Sequence, residues 1–373
     1  MTGAVVILCI CGDVMLGRGV DQILPHPGDP TLREAYANDA RAYVDLAEAV
    51  NGRIPRPVGF SWPWGDALPA IDEVAPDVRV INLETSVTGS GNFAPEKALH
   101  YRMHPRNLPG LAIARPDACS VVNNHVMDFG TQGLQDTLTA LSGAGLRAVG
   151  AGSDADEARR PAIVTIADNR RVVIVAYGMA SSGIPSSWAA TRDQPGVNFI
   201  PELSDARAGE IARQLGAMKR PGDVVVASLH WGSNWGYTVL PDQIRFAHHL
   251  IDGGVDIVHG HSSHHPRPIE VYRGKLVLYG CGDLINDYEG ISGYENYRDD
   301  LRILYFASIA PDTGKLINLR MVPMQARKMR LHRASPTDAK WLQEVLDHVC
   351  LGFGARIDLG PEGALALRWN QAG

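Results

Sequence analysis

The feature of this sequence that most constrains its fold is a series of short apolar runs, rich in β-branched residues, that end in polar or glycine-bearing segments. The runs cover residues 5–10, 78–83, 119–122, 172–177, 224–229, 255–259, 276–279 and 301–310. Continuous apolar runs of this length are typical of strands that are buried on both faces of a sheet.

Between these runs, apolar residues recur at the spacing of an α-helix. The segments that show it are Leu134, Leu138 and Leu141, then Ile211, Leu215 and Met218, and then Ile244, Ala247 and Ile251. Glycines follow the first and third of these segments and act as stop signals. Strands that alternate with helices predict an α/β layered fold.

Two parts of the chain depart from this alternation. Residues 25–65 hold many prolines together with Trp62 and Trp64, and show no clear strand. We interpret them as an insertion over the core, either a lid or substrate wall or a plain surface connection. Near the C-terminus, Trp341, Val345 and Val349 indicate one amphipathic helix. We therefore predict a catalytic domain over 1–310 and a C-terminal extension over 311–373 packed on the same domain.

Composition narrows the class of protein. The 373 residues carry a net charge of −6, which argues against a nucleic-acid binder. The apolar start of the chain lacks a basic front region and a cleavage site, so we expect a first core strand and no signal peptide or membrane anchor. The five cysteines have no zinc spacing and indicate free thiols in a reducing cytoplasm. The oligomeric state is left open.

Polar residues follow the strand-like runs, where open α/β sheets bind their ligands. Asp13 follows the first run and Glu84 follows the second. For each residue there is an alternative to a role in binding a ligand. Asp13 could be a helix N-cap, and Glu84 could be an exposed loop residue. After the third run, Asn124 can offer an amide oxygen to a metal, His125 can transfer a proton, and Asp128 can fix its tautomer. A turn stabilised by asparagine side chains is the alternative there.

Histidines follow two further runs. His230 ends one run, and a lone histidine in that place is more often structural than a ligand. Residues 259–265 hold four histidines, which packing does not explain well, and imidazole is the commonest nitrogen ligand of metals. Donors at the ends of so many strands favour a metal centre, and Asp283 can supply a supporting carboxylate.

These motifs resemble the CapA family of poly-γ-glutamate (capsule) biosynthesis proteins, within the calcineurin-like metallophosphoesterase superfamily. The resemblance lies in GDVMLGRGV at 12–20, NLE at 82–84, NNHVMDFG at 123–130, HWG at 230–232, GHSSHH at 260–265 and PIEVYRGKLVLYGCGDLIND at 268–287. It covers about residues 5 to 310. It implies a four-layer αββα sandwich of two mixed sheets flanked by helices.

The resemblance also implies roles for individual residues. The implied metal ligands are Asp13, Glu84, Asn124, His230, His261 and His264. Two departures matter, because Met15 stands where phosphoesterases carry a histidine ligand and Glu84 stands where a bridging aspartate is usual. Both favour one ion over a tight pair. The oxygen donors suit a hard cation such as Ca²⁺, Mg²⁺ or Mn²⁺, whereas the histidines favour a softer ion or serve as acids and bases.

The expected activity also follows from the resemblance. CapA-type proteins are typically membrane-anchored, whereas this sequence resembles the family's soluble peptide epimerases, including the one that inverts the C-terminal tryptophan of a lasso-peptide precursor. We therefore expect a metal-dependent peptide epimerase with a peptide substrate, no membrane or nucleic-acid partner and, without a lysine motif, no pyridoxal cofactor. One alternative is a metallophosphoesterase acting on a phosphomonoester or phosphodiester. The other is a component of poly-γ-glutamate synthesis.

Epimerisation needs an acid and a base on opposite faces of the inverted carbon, and carboxylate-backed histidines suit both roles. The candidate catalytic residues are His125, Asp128, His264, His265 and Asp13. The candidate substrate-binding residues are Trp231, Asn234, Asp283, Trp62 and Trp64, although core packing explains the tryptophans equally well.

Overall fold

The computed structural model of the protein describes residues 5–95 and 97–370, and within them the strands form two large mixed sheets. In spatial order, the first sheet contains Ala355–Leu359, Leu365–Trp369, Lys315–Ala326, Leu301–Ala310, Val6–Val14, Val78–Leu83, Ala118–Ser120 and Ala148–Val149, with Asp283–Ile285 beside Val6–Val14 and Leu331–Arg333 beside Lys315–Ala326. The second sheet contains Phe199–Ile200, Arg171–Met179, Val224–His230, Ile257–His261, Lys275–Leu278 and Ile269–Tyr272, with Ala162–Thr165 beside Arg171–Met179.

Helices and two short ladders complete the described chain. The α-helices are Gly19–Ile23, Arg41–Asn51, Ala67–Val74, Pro109–Ala112, Gly130–Gly143, Ala155–Arg159, Asp205–Met218, Pro241–Asp252 and Pro336–Cys350. The ladders pair Ser86–Val87 with Arg102–Met103 and Ala151–Gly152 with Gly196–Val197.

Side-chain alternation along the strands explains the layering. In the second sheet, Val172 and Ile174 join the core that contains the strands of the first sheet. Their neighbours Val173 and Val175 point the other way and share a second core with helix Pro241–Asp252. Because both faces of the strand are buried, its sequence is a continuous apolar run. The α/β class and the arrangement of two mixed sheets flanked by helices, both expected from the sequence, are confirmed.

The apolar runs all form strands, with small shifts at their ends. The largest shift is at the first run, which continues to Val14 because it pairs in parallel with Val78–Leu83 and with Asp283–Ile285. Asp13 therefore lies inside a strand, which excludes the helix N-cap alternative. The three predicted helices are also confirmed, as Gly130–Gly143, Asp205–Met218 and Pro241–Asp252.

Residues 25–65 contain one long helix, Arg41–Asn51, that the sequence pattern did not predict. Trp64 is fully buried, and its indole Nε1 donates a 2.6 Å hydrogen bond to the carbonyl oxygen of Gly110. The indole of Trp62 donates to the carbonyl oxygen of Lys328 at 2.9 Å. Both tryptophans thus anchor this segment to the rest of the protein.

The C-terminal part continues the first sheet. Strand Lys315–Ala326 is antiparallel to Leu301–Ala310, so the sheet crosses position 310, and the division there stays a proposal. The predicted amphipathic helix is present as Pro336–Cys350. Its buried face differs from the predicted one, because Ala339, Leu342, Leu346 and Cys350 are buried while Trp341, Val345 and Val349 are only partly buried.

The five cysteines are buried and free. None of the helices formed by residues 5–95 and 97–370 is both long enough and apolar enough to cross a lipid bilayer. The expected cytoplasmic location stays a prediction.

The position of Trp64 generates a stability prediction. Trp64→Ala should lower the free energy of unfolding by about 3–5 kcal/mol, because it removes a large buried side chain and a hydrogen bond. Urea denaturation measures the change. Leu351→Ala, at a side chain that is 50% exposed, is the control and should cost less than about 0.5 kcal/mol. An unchanged midpoint for Trp64→Ala would contradict its role as an anchor.

Candidate metal centre

The candidate site lies at one edge of the first sheet. Strands Ala118–Ser120, Val78–Leu83, Val6–Val14 and Asp283–Ile285 are parallel neighbours in that order. Their carboxyl ends therefore meet at the same edge, which is where such sheets bind ligands. The register places Asp13 opposite Asn82 on one side and Asp283 on the other.

Asp13 is held where strand Val6–Val14, at Gly12, closely approaches the backbone of Gly282. Its backbone N–H donates to the carbonyl oxygen of Gly282 at 3.0 Å. A Cβ atom added at Gly12 would lie only 1.6 Å from that oxygen. Glycine is therefore required at position 12 for the strand to bring Asp13 to this edge.

Two overlapping groups of donor atoms share Asp13. One contains Asp13, His230 and His261, and the other contains Asp13, His264 and Asp283, and in each group the ligand-type atoms lie within 4.8 Å of one another. All five residues are buried. His230 and His261 are directly opposite in the second sheet, and their Nδ1 atoms are 2.8 Å apart.

The other two predicted ligands lie beside His230. The Nε2 atom of His230 is 3.1 Å from the amide oxygen of Asn124 and 3.8 Å from a carboxylate oxygen of Glu84. The structure thus brings all six predicted metal ligands to the place where this edge of the first sheet meets the second sheet. Four of them belong to the two donor groups, because Asp13 lies with His230 and His261 in one group and with His264 in the other. Glu84 and Asn124 contact the first group through His230.

Asn82 organises the carboxylates, and the sequence analysis assigned it no role. Its side-chain amide nitrogen donates to Asp13 Oδ1 at 2.7 Å and to Glu84 Oε2 at 2.9 Å. The amide of Asn123 donates to Asn82 Oδ1 at 3.1 Å, which fixes the orientation of the Asn82 amide. The position of Asn82 inside the NLE motif is the feature of the sequence that could have pointed to this role.

The electrostatics of the cluster favour a bound cation. Burial, followed by the neighbouring Asp283 carboxylate, raises the pKa of Asp13 to about 7. Burial and the nearby Asp13 carboxylate raise the pKa of Glu84 as well. Burial lowers the pKa of both His230 and His261, which keeps their imidazoles neutral and able to donate lone pairs. Buried carboxylates beside neutral imidazoles are the environment that a divalent cation stabilises, so the residues fit the expected metal.

One histidine–carboxylate pair follows strand Ala118–Ser120. His125 Nδ1 is 2.7 Å from Asp128 Oδ2, and Asp128 also accepts the backbone N–H of Tyr101 at 2.6 Å and the ammonium of Lys97. Burial lowers the pKa of His125 to about 4 despite the opposing effect of Asp128. A neutral imidazole whose Nδ1–H faces a carboxylate leaves Nε2 as a proton acceptor.

A second histidine–carboxylate pair lies at the opposite end of the four parallel strands, at strand Asp283–Ile285. His264 Nδ1 is 2.9 Å from Asp283 Oδ1, and Asp283 accepts the amide of Asn286 at 2.6 Å. Arg302 in turn donates to the oxygen of that amide at 2.9 Å. Burial lowers the pKa of His264, but the carboxylates of Asp283 and Asp13 outweigh it, so that the pKa is raised. The sequence analysis missed Asn286 and Arg302, which fix this pair.

Several predicted residues lie outside the cluster. His265 packs between Trp235 and Tyr297, and its Nδ1 is bonded to the carbonyl oxygen of Pro266 rather than to a cluster residue. Trp231 is buried, and its Nε1 donates to the carbonyl oxygen of Tyr279 at 3.0 Å, so it is a core residue. The predicted role of Trp231 in a substrate pocket finds no support in this position.

A cleft of about 780 Å³ opens next to His264. Its lining consists of Arg18, Tyr36, Ala37, Ala42, Tyr43, Asp45, Leu46, Leu99, Asn234, Trp235, His264, Tyr288, Gly290, Ile291, Ser292 and Tyr294. Of the predicted substrate-binding residues, Asn234 lines this cleft, whereas Trp62 and Trp64 do not. A cleft of this size beside the cluster is the candidate substrate site.

The sequence matches, over residues 7–288, the family described as bacterial capsule synthesis protein PGA_cap. The match covers well over half of the chain. The chain belongs to this family. The expected CapA relationship is thereby confirmed.

Individual relatives within the capsule synthesis family agree with this. The chain is 55% identical, over 97% of its length and 96% of theirs, to proteins of two Mycobacterium tuberculosis strains that are named probable polyglutamine synthesis accessory protein. It is 28% identical to the PGA biosynthesis protein CapA of Bacillus subtilis, over 71% of this chain and 64% of that protein. None of these relatives is named as an epimerase.

Among solved structures, the fold is similar to a 5′-nucleotidase precursor from Thermus thermophilus. The identity is 13%, the TM-score is 0.47, and the match covers 92% of this chain and 59% of that one.

The pKa of Asp13 generates a prediction for metal binding. A proton on Asp13 competes with the cation, so the affinity for Mn²⁺ should rise as the pH increases through about 7. From deprotonation of Asp13 alone, we expect the affinity for Mn²⁺ to be roughly tenfold higher at about pH 8 than at about pH 6. Isothermal titration of the metal-free protein measures it.

Matched variants locate the ion. His230→Ala should weaken Mn²⁺ binding by at least about tenfold at each pH, because it removes a nitrogen donor. His248→Ala is the control, because His248 bonds to Glu270 outside the cluster. Equal affinities for the two variants would place the ion elsewhere.

Proposed function

We propose that this chain is a metal-dependent component of the synthesis of a glutamate or glutamine polymer. The observation that carries the proposal is the 55% identity, along 97% of the chain, to the polyglutamine synthesis accessory proteins. The donor cluster of Asp13, His230, His261 and His264 supports a chemical role over a purely structural one. This reverses the order of functions reached from the sequence alone, where peptide epimerisation came first.

The chain's own residues define where the ion would be held. Asp13, His230 and His261 would bind it, with His264 on the side of the cleft. When bound, a divalent cation polarises a carbonyl oxygen or lowers the pKa of a water molecule. Because two or three nitrogen donors accompany the carboxylate, we propose Mn²⁺ or Zn²⁺ ahead of Ca²⁺.

The two histidine–carboxylate pairs have opposite protonation preferences. The pKa of His125 is lowered by burial to about 4, whereas the pKa of His264 is raised, because the carboxylates of Asp283 and Asp13 outweigh burial. The first imidazole is therefore neutral and suited to accept a proton, whereas the second holds its proton more readily than a free imidazole and is suited to donate one. Titratable groups whose environments separate their pKa values in this way are suited to acid–base catalysis on one substrate. We propose that the substrate is an amide-linked chain.

The proposal predicts the phenotype of variants in the host cell. Replacement of the natural protein by His230→Ala should reduce the glutamate and glutamine released from purified cell-envelope polymer by at least about tenfold, because the donor cluster is broken. Amino-acid analysis of hydrolysed polymer measures it. His248→Ala, at equal protein level, should retain the polymer. Normal polymer in the His230→Ala strain would show that the cluster is not needed.

A second candidate function is the inversion of a Cα centre in a peptide. One observation favours it. The hydrogen-bonded pairs His125–Asp128 and His264–Asp283 lie at opposite ends of the four parallel strands of the first sheet, with Asp13 between them. Inversion needs a proton acceptor on one face of the carbon and a proton donor on the other. Phosphoester hydrolysis has no comparable observation in its favour.

Epimerisation predicts incorporation of solvent deuterium at one Cα position. In heavy water, the Mn²⁺-loaded protein should label a glutamine or glutamate oligomer, and His125→Gln should reduce labelling by at least about 10²-fold, because the acceptor Nε2 is removed. Mass spectrometry of the recovered oligomer measures it. His248→Ala should label at the natural rate. No labelling by the natural protein would eliminate this candidate and leave the first one standing.

A further inference from the structure

The cleft beside His264 has walls made mostly of aromatic and aliphatic side chains. Trp235 stacks on Tyr294 with ring centroids 4.0 Å apart and an angle of 8° between the rings. Tyr36 is 97% exposed, and Leu46 is 40% exposed. Exposed apolar groups that share one cleft mark a binding surface.

The arginine in the cleft is already neutralised. Arg18 donates through Nε and Nη2 to both oxygens of Asp287 at 2.8 and 2.6 Å, and through Nη1 to Glu34 at 3.0 Å. Its guanidinium also lies over the ring of Tyr43, 3.6 Å from the centroid. One cation with two carboxylates leaves a net negative cluster, and the nitrogens that face Asp287 and Glu34 have no capacity left for a ligand carboxylate.

The other described charged residues in and near the lining also leave no free cation for a ligand carboxylate. His264 is paired with Asp283, and Asp45 adds a further carboxylate. Lys97, outside the lining, is held by Asp128 and by the carbonyl oxygen of Asn124. Among the described residues that line the cleft, the side chains able to carry a positive charge are thus Arg18 and His264, and each is engaged by a carboxylate.

We infer that this cleft binds an uncharged, amide-bearing stretch of polymer, of the polyglutamine kind, and discriminates against stretches that carry carboxylates. The inference rests on the proposed function and names the substrate class of the same site. A carboxylate that enters the cleft loses water without gaining a free cationic side chain from the described lining, and it meets the fields of Asp45 and the Arg18 cluster. An amide loses less free energy than a carboxylate when it is removed from water, and in the cleft it can contact the Asn234 side chain and the aromatic walls.

Two capped oligopeptides of equal length, pentaglutamine and pentaglutamate, test the inference on the Mn²⁺-loaded protein. We expect pentaglutamine to bind at least about tenfold more tightly at neutral pH, and its affinity to change little with salt, because no ion pair is formed. Tryptophan fluorescence or calorimetry measures both affinities. Leu46→Lys, which adds a free cation at the rim, should strengthen pentaglutamate binding several-fold at low salt.

Trp235→Ala ties the binding to the cleft, and it should weaken pentaglutamine binding by about tenfold through loss of the aromatic wall. Tyr272→Ala is the matched control, because Tyr272 is an aromatic residue outside the lining. Equal or tighter binding of pentaglutamate, binding of neither peptide, or pentaglutamine binding unaffected by Trp235→Ala would each overturn the inference. The polymer content of the His230→Ala strain reports separately on the proposed function, so the two can fail independently.

Discussion

The burial of several carboxylates at one sheet edge is the constraint on which the rest of this structure depends. Asp13 lies between Asn82 and Asp283 in the register of the first sheet, and all three side chains are buried. Carboxylates removed from water need compensation from hydrogen bonds, cations or protons. The amide of Asn82 supplies hydrogen bonds to two of them. The facing sheet supplies His230 and His261, so the two sheets meet at a site that neither forms alone.

Much of this arrangement could be predicted from the sequence, because strands buried on both faces leave an unambiguous apolar pattern. The residues at or just beyond the carboxyl ends of those strands then come together through the topology, as His230 and His264 do around Asp13. Trp62 and Trp64 could not be assigned in this way, because an indole serves equally well in a core or in a pocket. The acceptor of the Trp64 indole, Gly110, is distant in sequence and carries no motif.

The supporting residues were harder to predict for a related reason. Asn286 and Arg302 act through Asp283, and their contribution depends on contacts between separate elements. The preference for polymer synthesis over epimerisation depended on the comparison with related proteins. The 55% identity to the polyglutamine synthesis accessory proteins along 97% of the chain, rather than any single motif, separates the two proposals.

A series of hydrogen bonds connects the His264 imidazole to a distant part of the molecule. It runs from His264 through Asp283 and Asn286 to Arg302, which also donates to the carbonyl oxygen of Asp299. Asp299 follows the loop whose Ile291 and Tyr294 form part of the cleft. Hydrogen bonds therefore join the segment that forms one wall of the cleft to the support of the imidazole, so a displacement of that wall would act on the orientation of the His264 ring.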